Sequence, residues 1–568
     1  MSIEQVFPNA AQGERVARAL ETIAANGASS PEALDAIFSA ILNGSNTTHV
    51  FLTWYTRARA ASPSETRYQL LCRFAAMLRT AWGDKVYTLK YVDLATSGGT
   101  TMTPVGDLAE KTAAQLCTDQ TTPVADWTDE DPLGGWYIRA NALSLADGTM
   151  NVLAIEGVDE EFDIYGNTAP VYTFAPALWT RRWTEGGYVY KSWSLTNPGG
   201  YKPYAGDVAP DGTKRDLTWR PAFPGGYDSQ GRLGSGLRQK PYIRKSANNG
   251  ITSARTVTAY EGLWNDADTI WALDMWQLRH WNLENSGICE GCQSYDFRYT
   301  AAVSETGVKR VLITAAQAAN LQVGSNVSIG TNASVDRNVA SSYSLGDCVR
   351  ILSMETVTVD STEYVAVNLD LAAGIDVEAG STQIITMPWD SGNTENLPGH
   401  KDGACYSLTA GRNPMRIMGV EMMSGAYDIG LDPLYNVTNF ANGKGDYAVY
   451  ECRNSENLSG SITANYEDTG ITYSQMPQGW QYVKKFADTD KAVLFPDMIG
   501  GSSTTNFKSA FSGTSSAGVR CPWRYGGLGS GASAGLACGS GGNTPSAANW
   551  AGRPRLSGSG KKRGEWAA

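Results

Sequence analysis

Charge is scarce in this sequence of 568 residues: Asp, Glu, Lys and Arg together make up 18%. Basic residues are outnumbered 46 to 57, for a formal net charge of −11. That balance excludes the broad basic face that wholesale nucleic-acid binding requires. The one basic run, Lys561-Lys562-Arg563, reads as part of a flexible tail over 558–568. No apolar run approaches the ~20 residues of a membrane-spanning helix, so no membrane insertion is expected. Met1-Ser2-Ile3-Glu4-Gln5 lacks the basic start and apolar run of a secretory leader, so synthesis in the cytoplasm without a signal peptide is expected. Histidine is almost missing, and His49, His280 and His400 share no ligand spacing. The nine cysteines are odd in number and scattered, which argues against a disulfide framework; most read as buried reduced thiols.

These absences thin out the catalytic options. Cys289-Glu-Gly-Cys292 is the one C-x-x-C. A zinc site needs four ligands, and no second pair is present; His280, nine residues before Cys289, is the sole neighbour for a mixed site. A buried thiol pair or a local disulfide are the readings left. Asp126, Asp129, Glu130, Asp131 and Asp159, Glu160, Glu161, Asp163 form two acidic clusters. Neither has the spacing of an EF-hand loop; calcium there is the alternative to solvated turns, and no cofactor is expected. Gly527-x-Gly529-x-Gly531 lacks the flanking strand, helix and distal acid of a nucleotide loop. No G-x-S-x-G nucleophile elbow with triad partners stands out.

What is abundant is glycine, 61 residues, with 17 Trp and 27 Tyr, the profile of a loop-rich α+β multidomain chain. Residues 1–160 read as an N-terminal α+β domain. Ser30-Pro31-Glu32 and Ser62-Pro63-Ser64-Glu65 are helix starts, His49 to Tyr55 a strand, and Gly135–Arg139 with Met150–Ala154 a hairpin turning at Asp147-Gly148. Tryptophans then crowd 161–300, with a helix predicted over Thr269 to Trp281, and core packing is the reading for them. None occurs between Trp281 and Trp389. There Val311–Thr314, Ser325–Ile329, Val349–Ser353, Glu355–Val359 and Tyr364–Leu369 predict a small β-barrel or sandwich over 301–394, inserted in a domain made of 161–300 and 395–557.

Arg520 to Ser557 is mostly Gly, Ala and Ser between aromatic and arginine-bearing ends. Small residues bury little area, so such a stretch must drape over a scaffold built elsewhere. Trp523-Arg524-Tyr525-Gly526-Gly527, then Gly531 to Gly535, then Pro545-Ser546 and Asn549-Trp550-Ala551-Gly552-Arg553 resemble the variable segment of diversity-generating retroelement target proteins. Met415–Glu421 with Asp428-Ile429-Gly430, and the Trp-rich helix, fit the same scaffold. The resemblance implies a C-type-lectin-like domain, shared in scaffold with formylglycine-generating enzymes, whose variable region spans about 520–557.

It further implies a non-enzymatic receptor-binding protein, a phage tail-tip or fibre component in the virion. Its partners would be a host cell-surface protein or glycan, other tail proteins through the N-terminal domain, and two further copies in a homotrimer. The ligand-facing positions would be Tyr525, Leu528, Ser530, Ser533, Ala537, Ser540, Gly542, Asn543, Ala547, Asn549 and Ala551. Trp523, Arg524, Gly526, Gly527, Gly535, Trp550, Gly552 and Arg553 would hold the loop. The alternatives are a formylglycine-generating-like oxidase, a virion glycan depolymerase, or a variable protein displayed by a bacterium. The oxidase needs a closely spaced cysteine pair near the C-terminus, whereas Cys521 and Cys538 are seventeen residues apart.

Overall fold

The computed structural model describes residues 30–558 except 43–45, 95–99, 123, 125–130, 134, 209–211, 332–335, 399–400, 407, 409, 453 and 488–491. Lys561, Lys562 and Arg563 lie outside the described residues. The fold is mixed α+β, with strands far outnumbering helices. Among the described residues no helix is long and apolar enough to cross a membrane.

Among the described residues three helices come first: α1 (Pro31–Leu42), α2 (Thr47–Ala61) and α3 (Arg67–Trp82). Two expectations are corrected here. His49 to Tyr55 is not a strand but part of α2, where Asn46 accepts the His49 N–H at 3.0 Å. Val50, Phe51, Trp54, Tyr55 and Ala58 are buried along one helical face. The second helix start lies at Thr66, not Ser62, because Thr66 and Gln69 cap each other's backbone N–H groups. Phe51 and Phe74 then pack on Trp136 at 5.3 and 5.0 Å between ring centres, joining the helices to the strands that follow.

The hairpin turning at Asp147-Gly148 forms with Met150–Ile155 as its second strand, but its first strand is Ile138–Ser144 rather than the expected Gly135–Arg139. Its first strand also pairs with Val171–Pro176, which pairs with Leu217–Pro221. Tyr87–Val92 likewise pairs with Tyr188–Ser194. The expected boundary at 160 therefore crosses two shared sheets, and hydrogen bonding does not divide the chain there.

Six strands between Arg298 and Met387 form one sheet with its own apolar core, including Val311, Ile313, Val327, Ile351 and Val367. The two strands expected at 349–359 are one, Gly346–Val359, with a shift of register between Ile351 and Ser353. The strands that lead into and out of this unit pair with each other, Arg298 opposite Ile385 and Thr300 opposite Gln383. Residues 388–394, expected in the insertion, pack instead on the body: Trp389 clusters with Tyr295 and Leu528, and Ser391 Oγ accepts the Gln239 N–H at 2.9 Å.

The Trp-rich helix is α5, Asp266–His280, after a shorter α4, Ala247–Val257. Every residue of α5 is buried. Trp281 ends it in the left-handed region, at φ +54°. Trp264, Trp271 and Trp276 are core residues, as read from the sequence.

Candidate functional site

The C-terminal stretch is held by acids placed before it in the chain. Asn265 caps α5 and puts Asp266 and Asp268 in its first turn, where the helix dipole favours negative charge. Asp266 takes Arg524 in a two-pronged pair, Nε at 2.8 Å and Nη2 at 2.6 Å, and accepts the Leu494 N–H at 2.8 Å. The same guanidinium donates to the Leu494 carbonyl at 2.8 Å and the Tyr435 hydroxyl at 3.0 Å. Asp268 receives Arg220 at 2.7 Å and Ser557 Oγ at 2.7 Å. Asp428 lies between Arg553, at 3.5 Å, and Arg555, at 3.0 Å. Every one of these charged side chains is buried. An unpaired ion at such depth costs several kcal/mol, so the pairs must form together.

Short backbone pairings run alongside. Tyr427–Ile429 lies between Trp523–Arg524, antiparallel, and Gly552–Pro554, parallel. Gly539–Ser540 pairs with Trp523–Arg524, and Leu556–Ser557 with Gly262–Leu263. Glycine is demanded at two of these places. Gly535 sits at φ +145°, and a Cβ there would stand 2.4 Å from Ser509 Oγ and 2.5 Å from both Glu284 carboxylate oxygens. At Gly552 it would stand 2.6 Å from the Trp523 ring. Gly526 and Gly527 are buried in the turn after Tyr525, and the Gly527 N–H is bonded to Ser530 Oγ at 2.9 Å.

Four of the eleven expected ligand-facing side chains are buried, which corrects the assignment. Tyr525 is fully enclosed; its hydroxyl accepts Trp264 Nε1–H at 2.9 Å and donates to Thr269 at 3.3 Å. Leu528 packs with Cys292, Tyr295 and Trp389. Ala537 lies against the core, its N–H on Glu284 at 3.3 Å, and Ser540 is covered by its strand neighbours. Ser530, Ser533, Gly542, Asn543, Ala547, Asn549 and Ala551 are half-buried. Ser530 is tied to the Tyr427 hydroxyl at 2.7 Å, and Asn549 Oδ1 accepts the Ala551 N–H at 2.9 Å. The most exposed side chains of the stretch, Ala532, Thr544, Ser546 and Ala548, were not singled out from the sequence. No periodic signal marks them, because the stretch has neither helical nor strand repeat.

Trp550 differs from the other expected anchors. It is half-buried and bridges two small apolar clusters, one around Met387 and Ala426, the other around Tyr295 and Leu528. The Arg337 guanidinium lies over its ring at 4.3 Å, and its N–H donates to Asn338 Oδ1 at 2.9 Å. Arg337 also pairs with Asp296, beside Gly529. Arg244 completes the seam, donating to the Arg337 carbonyl at 2.9 and 3.0 Å and to Asp347 at 2.8 Å. The inserted unit thus abuts both surface loops, 529–533 and 542–551. Sequence reading placed Asp428 in a scaffold motif without its ion pairs and missed Asp266, Asp268 and Arg337; the Asn265 cap with acids at the following turn was the one available sign.

The other chemical constellations do not assemble. Cys289 and Cys292 are free, buried thiols in different clusters, and burial raises both above the usual thiol range. His280 turns away from them, with Nε2 at 3.0 Å from Asp402 and Nδ1 at 2.8 Å from the Ala114 carbonyl. Cys521 and Cys538 are also buried and free; burial pushes Cys521 up to about 12. Asp126, Asp129 and Glu130 lie outside the described residues. Asp131 is buried against Tyr87 and Lys111, and Asp159 against Arg59 and Arg67. Asp163 caps the N–H groups of Tyr165, Asn167 and Thr168. Among the described residues no His, Cys, Asp or Glu group is placed to hold a metal ion.

Compared with known proteins, the chain matches no protein-family model and no curated protein.

Proposed function

We propose that this chain is a receptor-binding protein that presents residues 529–533 and 542–551, the anchor Trp550 excepted, as a replaceable surface on a C-type-lectin-like domain. The observation that carries the reading is a division of labour along one stretch. Its large and charged residues, Trp523, Arg524, Tyr525, Arg553 and Arg555, are buried and bonded to the scaffold. Its small residues at the surface contribute little to any core. A surface that tolerates many side chains must not depend on them for folding, and this arrangement meets that condition. It accords with the resemblance to diversity-generating retroelement targets and with a phage tail-tip or fibre role, the partner being a host surface protein or glycan. Attachment to the tail through the N-terminal region and assembly as a homotrimer belong to the same proposal.

The small side chains make the surface shallow, and no large aromatic hot spot stands among the exposed positions, so affinity per site is modest and gains from repetition. Ser533, Asn543, Ser546 and Ala548 are the positions to vary. Changing each to Tyr or Asp should alter adsorption to host cells while shifting the melting temperature by no more than a few degrees. Tyr525→Ala and Leu528→Ala should instead cost about 2–5 kcal/mol of stability, because each opens a cavity. Unfolding by the surface changes, or adsorption that none of them alters, would overturn the reading.

A further inference from the structure

A cleft of about 190 Å3 lies where the inserted unit meets the body, away from the residues invoked above. Arg238, Asn393 and Tyr406 line it from the body, Val323 and Arg350 from the insertion, and Asp390 from the segment between them. Several of the buried arginines, Arg279, Arg524 and Arg555 among them, are locked to acids. The Arg238 and Arg350 guanidiniums have no hydrogen-bond or ion-pair partner among the described residues. Arg238 is also held at φ +58°, a backbone state that a long side chain adopts at a cost. Ser391 fixes that turn: its carbonyl accepts the Arg238 N–H at 3.0 Å, and its hydroxyl accepts the Gln239 N–H at 2.9 Å. The strained turn brings a cation to the cleft that the fold itself does not use.

The other groups define what would sit beside that charge. Tyr406 and Val323 are each 43% exposed and offer an apolar face. Asn393 spends its amide N–H on the Asp390 carbonyl at 2.6 Å, leaving its oxygen to accept. Asp390 accepts one bond, from Asn326 at 2.7 Å, and has a further oxygen for a hydroxyl. Glu395, also at the rim, is already paired with Arg139 at 2.6 Å. Arg238 and Arg350 thus bring two unpaired guanidiniums to one small cleft in a chain of net charge −11. Planar guanidinium forks match carboxylate and phosphate oxygens in pairs. The volume is below the roughly 300–1,000 Å3 of a drug-sized site, which limits the occupant to one ring. We infer that this cleft binds a single acidic sugar unit, a pyranose carrying a carboxylate or phosphate, with the anion on Arg238 and Arg350 and the ring against Tyr406. This inference does not rest on the variable surface.

The test is titration calorimetry on the full chain with galacturonate, glucose 6-phosphate, galactose, glucose and inorganic phosphate. At least one acidic sugar should bind at about millimolar affinity, and its neutral counterpart at least tenfold more weakly. Arg238→Gln with Arg350→Gln should abolish that difference with little change in melting temperature, since neither guanidinium has a partner to lose. Arg238→Gln alone, at an exposed position, should weaken binding severalfold and serves as the readout if the double variant is unstable. Tyr406→Ala should weaken the sugars but not inorganic phosphate, and Ser533→Tyr should change none of these affinities. No binding by either acidic sugar at about 10 mM, equal binding by neutral sugars, or undiminished binding by the arginine variants would each overturn the inference. Inorganic phosphate binding as tightly as the sugars would overturn its sugar component.

Discussion

Take away Arg524 and Asp266 is left as a bare carboxylate in the middle of the protein. Arg524→Met should therefore cost about 3–5 kcal/mol, read as a shift in the urea midpoint. Lysine should not restore it, because one ammonium cannot serve both carboxylate oxygens, the Leu494 carbonyl and the Tyr435 hydroxyl from Arg524's fixed fork. Asp402 offers a second test. Burial alone would raise its carboxyl, but Arg279 at 2.5 Å and His280 outweigh that and hold it below the ordinary range. A depressed folded value stabilises above the unfolded value of about 4 and ceases to do so as pH falls through the folded one. Asp402→Asn should thus destabilise strongly at pH 7, and its gap to the natural protein should narrow below about pH 4 in denaturation curves. At this scale the sequence was half legible. Arg524 and Arg553 were read as residues that hold the loop, but the partner of Arg524 was invisible, since Asp266 and Arg524 are 258 positions apart. Tyr525 was misread because an exposed phenol and one bonded to Trp264 look the same in a string of letters.

Local elements were read better where a turn announces them than where composition alone spoke, and of the two helix starts read from caps, Ser30 held while Ser62 gave way to Thr66. His49-Val-Phe-Leu-Thr-Trp-Tyr55 is rich in β-branched and aromatic residues, hence the strand expectation. Asn46 and the burial spacing of Val50, Trp54 and Ala58 make it helix, tertiary packing overriding propensity. The hairpin at Asp147-Gly148 was legible because its turn demands those residues. Gly535 was recognised as fixed, though not why: it closes the turn against Glu284 and Ser509. Gly535→Ala should cost about 1–3 kcal/mol from its left-handed backbone, plus displacement of the Glu284 carboxylate. Thermal melts should show this loss, while Ala532→Gly three residues away should leave stability nearly unchanged.

Across the whole molecule, the insertion was visible as a gap in tryptophan, and its edges were not. Its first and last strands are hydrogen-bonded neighbours, so residues 299–384 can be replaced by a short glycine link without stretching the body. The shortened protein should unfold cooperatively. Limited proteolysis should find new cuts near Trp550, which loses Arg337 and Asn338. Fragmentation throughout the body would show that the inserted unit is integral to it. The boundary near 160 failed for a different reason: a change in composition marks where tryptophans begin, not where strands stop pairing.

The closure of Leu556–Ser557 onto Gly262–Leu263, with Arg524 on Asp266 and Ser557 on Asp268, also has a meaning in time. A ribosome adding about 5–20 residues per second makes Asp266 of α5 tens of seconds before Arg524, the side chain that neutralises it. During that interval the body cannot reach its final state, since the helix that must be buried still carries uncompensated charge. A product truncated anywhere before Arg524 would keep that defect permanently and remain open to proteases. The Arg524–Asp266 pair would thus also reject copies in which residues 529–551 were never made.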